Sequence, residues 1–156
     1  MTIRDSKIDN YLQALREIHE KKIPFNRIFG LKVDSLKPGS VSIRFEMKEE
    51  LIGNYVHGIL HGGVISSVLD AAGGLTAASS IMDKMKDKPT DEIAKKIMKM
   101  GTIDLRVDYL RPGRGKYFRA TSSIMRAGNK VAVTRMELHN DKDLLIAVGT
   151  GTYIVG

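Results

Sequence analysis

The chain is organised around residues 51–83, LIGNYVHGILHGGVISSVLDAAGGLTAASSIMD. The stretch begins as a polar loop and passes through Gly62 and Gly63 into about twenty residues that carry one charge, Asp70. This run has the length of a membrane span. It is nevertheless rich in small residues and holds a carboxylate near its middle, which predicts a buried core helix over residues 62–82. Because burying a carboxylate costs free energy, Asp70 requires a functional explanation.

The composition is that of an ordinary globular domain and excludes several kinds of site. The chain has 156 residues, enough for one domain with its own core, and it contains no cysteine. A disulfide framework, a thiolate metal site and a cysteine nucleophile are therefore excluded. The N-terminal sequence MTIRDSKIDN lacks the basic-then-apolar pattern of a signal peptide, which favours a cytoplasmic location.

The net charge of +7 predicts an anionic partner, either a phosphorylated ligand or nucleic acid. The basic residues are scattered along the chain, and the sequence has neither an arginine-rich run nor an aromatic RNA-binding signature. Nucleic acid is therefore the minority alternative, and a phosphorylated small molecule is the favoured partner.

The hydrophobic spacing predicts helices and strands on both sides of the central helix. Apolar positions at helical spacing predict an N-terminal helix within residues 1–24, which Pro24 ends. Residues 31–47 alternate around a turn and predict a hairpin. Residues 83–100 are rich in charges and predict a short helix in a lid-like insert. From Gly101 onwards, alternating segments and tight turns predict four more strands.

This order of elements predicts an α+β fold. A curved antiparallel sheet of about six strands wraps the long central helix, and residues 1–156 form a single domain. A helix that is apolar on every side cannot be covered by one curved sheet, so a second surface must cover its back. A second copy of the chain is the simplest source of that surface, which predicts a homodimer.

The start of the central helix is a candidate site for a developing negative charge. The first backbone N–H groups of a helix have no internal partner and lie at the positive end of its dipole. Gly62 and Gly63 let a ligand approach that backbone closely, which suits an oxyanion formed from a carbonyl. The residues favour equally an alternative in which the glycines only allow tight packing of the helix on the sheet.

Asp70 lies too far from Gly62 for both to serve one carbonyl within one chain. The eight residues between the two positions correspond to about 12 Å along a helix axis. If both groups act on one carbonyl, they must come from two subunits with antiparallel helices. Asp70 could then attack the carbonyl or activate a water molecule. A buried aspartate that only satisfies neighbouring hydroxyls or a lysine is the weaker alternative.

Other polar residues are weaker candidates for the same site. His61 is expected to orient the loop by hydrogen bonds and His57 to be exposed, and no glutamate or cysteine completes a metal site with them. Asn54 could hold a water molecule or a carbonyl, although loop asparagines usually make turns. Thr102 could direct its hydroxyl to the site, although a plain strand threonine is the more common outcome. Basic residues at strand ends and turns could hold phosphates, although each alone is more often a surface charge: Arg111, Arg114, Lys116, Arg126 and Lys130.

Three motifs resemble those of a known family. They are G-N-x-x-x-G-I-L-H-G-G-V-I-x-x-x-L-D at residues 53–70, T-I-D-L-R-V-D-Y-L-R-P-G at 102–113 and A-x-G-T-G-T-Y at 147–153. They resemble the hotdog-fold acyl-CoA thioesterases, most of all the PaaI-type group with its YigI-like proteins. The resemblance covers residues 25–155. It implies a long helix wrapped by an antiparallel sheet, in dimers that often pair into tetramers and hold their sites at the subunit interface.

The resemblance also implies roles for single residues. The family's catalytic acid falls on Asp70, and the N–H that binds its oxyanion falls on Gly62, next to the motif histidine His61. The family's loop asparagine falls on Asn54, and the hydroxyl that helps to place the water falls on Thr102. Contacts to coenzyme A come from the strand-end and turn region, which here contains Arg126, Asn129 and Lys130.

The sequence therefore predicts a cytoplasmic acyl-CoA thioesterase that uses no metal and no cofactor. Water attacks the thioester carbonyl, and a free acid and coenzyme A are released. Ile93, Ile97 and Met100 of the insert are expected to line the acyl tunnel, which favours medium or long aliphatic chains. A non-hydrolytic acyl-CoA or lipid-binding protein is the first alternative and a nucleic-acid-binding protein the second. A hydratase is weaker still, because Asp70 has no histidine partner in register.

Overall fold

The computed structural model describes residues 3–85 and 87–156. The helices are α1 (Ile3–Glu17), α2 (Pro24–Phe29), α3 (Gly62–Met85) and α4 (Thr90–Met98). A π-helical turn (Ile18–Lys22) follows α1, and a 3₁₀ turn (Glu49–Leu51) precedes the third strand. The strands are β1 (Lys32–Lys37), β2 (Ser40–Glu46), β3 (Ile52–Asn54), β4 (Ile59–Leu60), β5 (Gly101–Tyr109), β6 (Tyr117–Ala127), β7 (Val131–Asn140) and β8 (Leu145–Ile154).

Six strands form one antiparallel sheet in the order β1-β2-β6-β7-β8-β5. Side chains alternate between its two faces, as in β2, where Val41, Ile43 and Phe45 are buried in the core. Helix α3 packs against β2, β5, β6, β7 and β8. The predicted α+β hotdog arrangement is therefore confirmed. Strands β3 and β4 form a separate two-stranded ribbon that the sequence pattern did not predict.

Helix α3 is the buried core helix that the sequence predicts. Residues Gly62–Met82 are long and apolar enough to cross a membrane by length and composition alone, but 67% of the most apolar window is buried inside the protein. Val68, Leu69 and Ala72 are fully shielded from solvent. Burial against the sheet therefore accounts for the apolar character of this helix.

The chain itself covers the C-terminal half of α3. Every residue from Leu75 to Met82 is buried, and both α1 and α4 contact α3 in addition to the sheet. For this half of the helix, α1 and α4 therefore supply the second surface that its apolar character predicts. A less buried stripe remains on the N-terminal half, at the helical spacing of Ser67, Asp70, Ala71 and Gly74.

The helix predicted within residues 1–24 continues into a π-helical turn, and the short helix α2 follows at Pro24. Pro24 occupies the first turn of α2, where its missing N–H is not needed, so it begins a helix as well as ending the preceding one. The π-helical turn brings His19 beside Asn26, whose Nδ2 donates to the His19 carbonyl oxygen at 3.0 Å and lies 3.3 Å from His19 Nδ1. Burial lowers the pKa of His19 to about 4, so the imidazole is neutral at pH 7.

Candidate active site

Asp70 is held by two hydroxyl groups on neighbouring strands. Thr102 Oγ1 of β5 donates a hydrogen bond of 3.0 Å to Asp70 Oδ1, and the Tyr153 hydroxyl of β8 donates one of 3.2 Å to the same oxygen. Asp70 Oδ2 has no hydrogen-bond partner among the described residues. The carboxylate is therefore fixed through one oxygen, and its second oxygen is available for chemistry.

A β-bulge turns Thr102 towards Asp70. Strict alternation along β5 would place Thr102 on the face opposite Leu105 and Val107, which pack against the core. The pairing with β8 shifts between Thr102 and Asp104, so one extra residue, Ile103, is inserted there. Bulges re-aim side chains in this way. The sequence named Thr102 as a candidate, but its alternating pattern gave no sign of the bulge that makes the contact possible.

Tyr153 is the site residue that sequence reasoning missed. Its ring is buried, and its hydroxyl reaches both Oδ1 and the backbone carbonyl oxygen of Asp70 at 3.2 Å. Burial, reinforced by the charge of Asp70, raises the pKa of Tyr153 far above its ordinary value, so the hydroxyl keeps its proton. A Cβ atom at Gly73 would overlap this hydroxyl, and one at Gly151 would lie 2.5 Å from it. These two glycines therefore make room for the phenol.

The start of α3 has one free N–H group. His61 Nδ1 accepts a hydrogen bond of 2.8 Å from the Gly63 N–H, and the His61 carbonyl oxygen accepts those of Val64 and Ile65 at 3.0 and 3.3 Å. The Gly62 N–H has no partner among the described residues. His61 thus acts as a helix cap, in line with its predicted orienting role. The Gly62 N–H is the group that the family resemblance implies will bind the oxyanion.

The peptide of Gly62 is also held from β5. The Tyr109 hydroxyl donates a hydrogen bond of 3.0 Å to the Gly62 carbonyl oxygen, and its ring lies against the glycine, 3.4 Å from where a Cβ would be. One strand therefore contacts both candidate positions on α3. Thr102 lies at one end of β5 and contacts Asp70, whereas Tyr109 lies at the other end and contacts Gly62.

Asn54 and His57 belong to the loop that precedes α3. Asn54 Oδ1 accepts the His57 N–H at 3.2 Å, which is a turn-forming contact. His57 is exposed, and its carbonyl oxygen accepts a bond of 2.7 Å from Arg114. Across residues 3–85 and 87–156, no group of three or more histidine, cysteine or acidic side chains is placed to hold a metal ion.

An apolar cavity of about 270 Å³ opens beside Asp70. Its walls come from the end of α1, the π-helical turn, α3 and the segment that joins α4 to β5. Ile97 and Met100 line it, as the sequence predicts. Ile93 does not. It is 1% exposed and lines a different cavity with Met82 and Tyr11, although it lies on the same face of α4 as Ile97, one turn earlier.

The residues proposed to contact coenzyme A lie at the far end of α3. Arg126, Asn129 and Lys130 are exposed around the turn between β6 and β7. Asn129 lines a second cavity of about 270 Å³, whose wall includes the lysines Lys84, Lys88 and Lys96. Lys84 Nζ donates to two carbonyl oxygens at the end of β6 and in the following turn. This end of the molecule therefore concentrates positive charge.

The family model for the thioesterase superfamily matches residues 57–147. The chain belongs to the thioesterase superfamily. It is 48% identical to a protein of Salmonella typhimurium named medium/long-chain acyl-CoA thioesterase YigI, over 93% of this chain and 94% of that one. Among solved structures, it is similar to a Shewanella oneidensis protein related to the thioesterase superfamily, with 46% identity, a TM-score of 0.92 and coverage of 96% and 97%. A Syntrophus aciditrophicus protein matches with 48% identity, a TM-score of 0.87 and coverage of 97% and 99%.

Within this thioesterase-superfamily chain, the structure brings the predicted site residues together in two groups. Asp70 and Thr102 form one group, which Tyr153 joins. Gly62, Gly63 and His61 form the other, eight residues earlier on the same helix. Asn54 makes no hydrogen bond to either group among the described residues. Within one chain, α3 and β5 each extend from one group to the other.

Proposed function

We propose that this protein is an acyl-CoA thioesterase that hydrolyses medium- or long-chain acyl-CoA to a free fatty acid and coenzyme A. The observation that carries the proposal is the Asp70 carboxylate, fixed through Oδ1 with Oδ2 unpartnered, at the wall of an apolar cavity. An oriented carboxylate beside an apolar acyl site is what thioester hydrolysis requires. The name of the Salmonella relative supports the same substrate class.

The proposed reaction uses Asp70 and the free N–H of Gly62. Asp70 Oδ2 takes a proton from a water molecule while the water oxygen bonds to the thioester carbonyl carbon. The carbonyl oxygen becomes an oxyanion and accepts a hydrogen bond from the Gly62 N–H, which lies at the positive end of the α3 dipole. The C–S bond then breaks, and the departing thiolate takes the proton from Asp70. A carboxylic acid and the free thiol of coenzyme A are the products.

Direct attack by Asp70 on the thioester is the alternative chemistry at the same atoms. Oδ2 would then form an anhydride with the acyl carbon while the C–S bond breaks and the coenzyme A thiolate leaves, and water would hydrolyse the anhydride in a second step. A single turnover in oxygen-18 water tests this route. Label found in the Asp70 carboxylate indicates direct attack, because a water molecule that attacks the thioester places its oxygen only in the released acid.

We infer that each site uses Gly62 from one subunit and Asp70 from another. The two positions are about 12 Å apart along α3, too far to act on one carbonyl. β5 is an edge strand whose outer side is free to pair, and Ile103 and Tyr109 on it are 55% and 54% exposed. Two copies of β5 can pair antiparallel about an axis near the middle of the strand. The Thr102 end of one copy then lies beside the Tyr109 end of the other copy. Because these ends contact Asp70 and Gly62, the two halves of a site would then meet.

The less buried stripe of α3 supports this arrangement. Ser67, Ala71 and Gly74 are small, flank Asp70 at helical spacing and leave room for a second helix to approach. The part of α3 that its own chain covers lies further along, from Leu75 onwards. The surface proposed for the second subunit is therefore the surface that α1 and α4 leave open.

The apolar cavity is the proposed acyl site, and the basic end of the molecule is the proposed coenzyme site. Leu75, Ile97 and Met100 give the cavity an apolar wall that suits an aliphatic chain. Arg126, Asn129 and Lys130 would contact the phosphates, and the neighbouring lysines reinforce the attraction.

The test of the proposed function is hydrolysis of an acyl-CoA panel by the protein and by Asp70→Asn. The panel runs from acetyl-CoA to palmitoyl-CoA and includes phenylacetyl-CoA and hydroxybenzoyl-CoA. The highest kcat/KM is expected for medium or long aliphatic chains. Asp70→Asn keeps the hydrogen bonds of Thr102 and Tyr153 but lacks the base, so turnover should fall by at least about 100-fold while binding of coenzyme A persists. Binding without turnover by the unaltered protein would favour a non-hydrolytic acyl-CoA-binding role, and a best substrate outside the aliphatic chains would exclude the proposed specificity.

A further inference from the structure

We propose that Tyr153 is a positioning residue for thioester hydrolysis, which acts with Thr102 to hold Oδ1 of Asp70 so that Oδ2 is the reacting oxygen. This inference rests on the proposed function and names a residue of the same site. Both donors approach one oxygen, at 3.2 and 3.0 Å, from two different strands. A carboxylate held in this way cannot rotate to exchange its two oxygens without losing both hydrogen bonds.

The Tyr153 hydroxyl can only act as a donor to Asp70. An ionised carboxylate and a backbone carbonyl both accept hydrogen bonds, and these are the two Asp70 groups that the hydroxyl contacts. The high pKa of the buried phenol keeps its proton in place at neutral pH. Tyr153 therefore stabilises the charged form of Asp70, which is the form that a general base needs.

The residues around Tyr153 leave room for its phenol. Gly73 on α3 and Gly151 on β8 have no Cβ atom, and a Cβ at either position would overlap the tyrosine ring or hydroxyl. Tyr153 itself is 2% exposed and packs with Ala77 and Ala132. The ring is buried and packed on these neighbours, so the donor lies beside Asp70 before a substrate arrives. Preorganised contacts of this kind give a catalytic group its orientation at no further cost during the reaction.

The substitution Tyr153→Phe tests the proposal because it removes only the hydroxyl. Loss of a donor that stabilises the ionised carboxylate should shift the acidic limb of the kcat/KM profile to higher pH. A less well oriented base should also lower kcat by about 10- to 100-fold, with little change in KM. Tyr117→Phe is the matched control, because it removes a phenolic hydroxyl from the start of β6 and should leave both the profile and kcat unchanged.

The titration of His19 must be separated from the effect of the Tyr153 hydroxyl. Among the described residues that line the cavity with Asp70, the other titratable groups are His19 and Tyr153. Burial lowers the pKa of His19 to about 4, so its protonation can contribute to the acidic limb. The profiles are therefore also measured in His19→Gln and in His19→Gln with Tyr153→Phe. Tyr153→Phe is expected to shift the acidic limb both in the otherwise unaltered protein and in His19→Gln.

A second variant keeps the test decisive if Tyr153→Phe does not fold. Gly73→Ala retains the phenol but adds a Cβ where its hydroxyl lies, and alanine favours the helix, so the hydroxyl should be displaced from Asp70. It should reproduce the shift in pH profile and the loss of kcat. An unaltered protein that hydrolyses no acyl-CoA refutes the proposed function itself. A hydrolase whose folded Tyr153→Phe or Gly73→Ala variant keeps the acidic limb and kcat of the unaltered protein refutes the positioning role alone.

Discussion

At the residue scale, the candidate site consists of two polar groups, Asp70 Oδ2 and the Gly62 N–H. The polar groups beside them already have hydrogen-bond partners. Thr102 and Tyr153 both donate to Asp70 Oδ1, and His61 accepts the Gly63 N–H and, through its carbonyl, the next two. Asp70 Oδ2 and the Gly62 N–H are left without partners among the described residues. A proton acceptor and an oxyanion donor that are held in advance need no reorganisation during the reaction.

His19 should make stability depend on pH. Burial lowers its pKa from 6.5 to about 4 in the folded chain, so the unfolded chain binds a proton more readily. The free energy of unfolding is therefore highest above pH 6.5 and falls by up to about 3 kcal/mol as the pH decreases towards 4. His19→Gln should remove this dependence in urea unfolding measured at several pH values. His57→Gln changes an exposed loop histidine and should keep it, and an equal slope in both variants would contradict the assignment.

Residue type and position were sufficient to predict Asp70 and Gly62 as candidates. A lone carboxylate in an apolar helix and a glycine pair at its start are visible in the sequence. Tyr153 was not predicted, because its contact with Asp70 depends on the register of β8 against α3 and on two glycines that are distant in sequence. The motif A-x-G-T-G-T-Y at residues 147–153 is the local signal, but it does not reveal which residue the tyrosine side chain contacts.

At the scale of elements, α4 and the N-terminal segment each supply one wall of the proposed acyl cavity. α1 and the π-helical turn contribute Leu15, Ile18 and His19, and the segment after α4 contributes Met100. Neither element belongs to the sheet. We therefore expect the length of the accepted acyl chain to be set by these two elements.

Ile97→Trp should shorten the preferred acyl chain. The larger side chain fills part of the cavity, so kcat/KM for palmitoyl-CoA should fall by about 10-fold or more relative to that for hexanoyl-CoA. Met98→Trp is the matched control on the same helix. Met98 is 77% exposed, so its replacement should leave the ratio unchanged. A ratio that stays the same in Ile97→Trp would show that the acyl chain lies elsewhere.

The turn between β6 and β7 should affect affinity for the coenzyme and not for the acyl group. Arg126→Ala with Lys130→Ala should raise KM for acyl-CoA by about 10-fold and leave KM for the matching acyl-pantetheine, which lacks the nucleotide phosphates, unchanged. Lys142→Ala removes a lysine from a different turn and serves as the control. An equal rise for both substrates would place the phosphates elsewhere.

Helices and strands were more predictable than their irregularities. The periods of two and 3.6 predicted α3, the first hairpin and the later strands. The bulge at Ile103, the π-helical turn and the β3–β4 ribbon were not predicted. The bulge and the π-helical turn change locally which side chains share a face without changing the overall pattern, and β3 and β4 are only three and two residues long. These irregularities position Thr102 and His19, so the site was less predictable than the fold.

At the scale of the whole molecule, the proposed mechanism requires sites that are shared between two subunits. β5 contacts Asp70 through Thr102 and Gly62 through Tyr109, and it lies at an open edge of the sheet. Sequence spacing alone separates Gly62 from Asp70 by about 12 Å and so predicts the sharing. The structure adds an exposed edge and a less buried stripe on α3 where a second copy would fit.

Complementation between two inactive variants tests whether each site uses Gly62 of one subunit and Asp70 of the other. Asp70→Asn removes the base, and Gly62→Pro removes the oxyanion N–H at the first helical position, where proline is tolerated. Each variant alone should have little activity. Unfolding and refolding an equal mixture should form mixed dimers in which one site combines the unaltered Asp70 of one chain with the unaltered Gly62 of the other. Activity is then expected to return to about a quarter of that of the unaltered protein, because half of the dimers are mixed and each has one complete site. A refolded mixture that forms dimers but stays inactive would contradict a site shared between subunits.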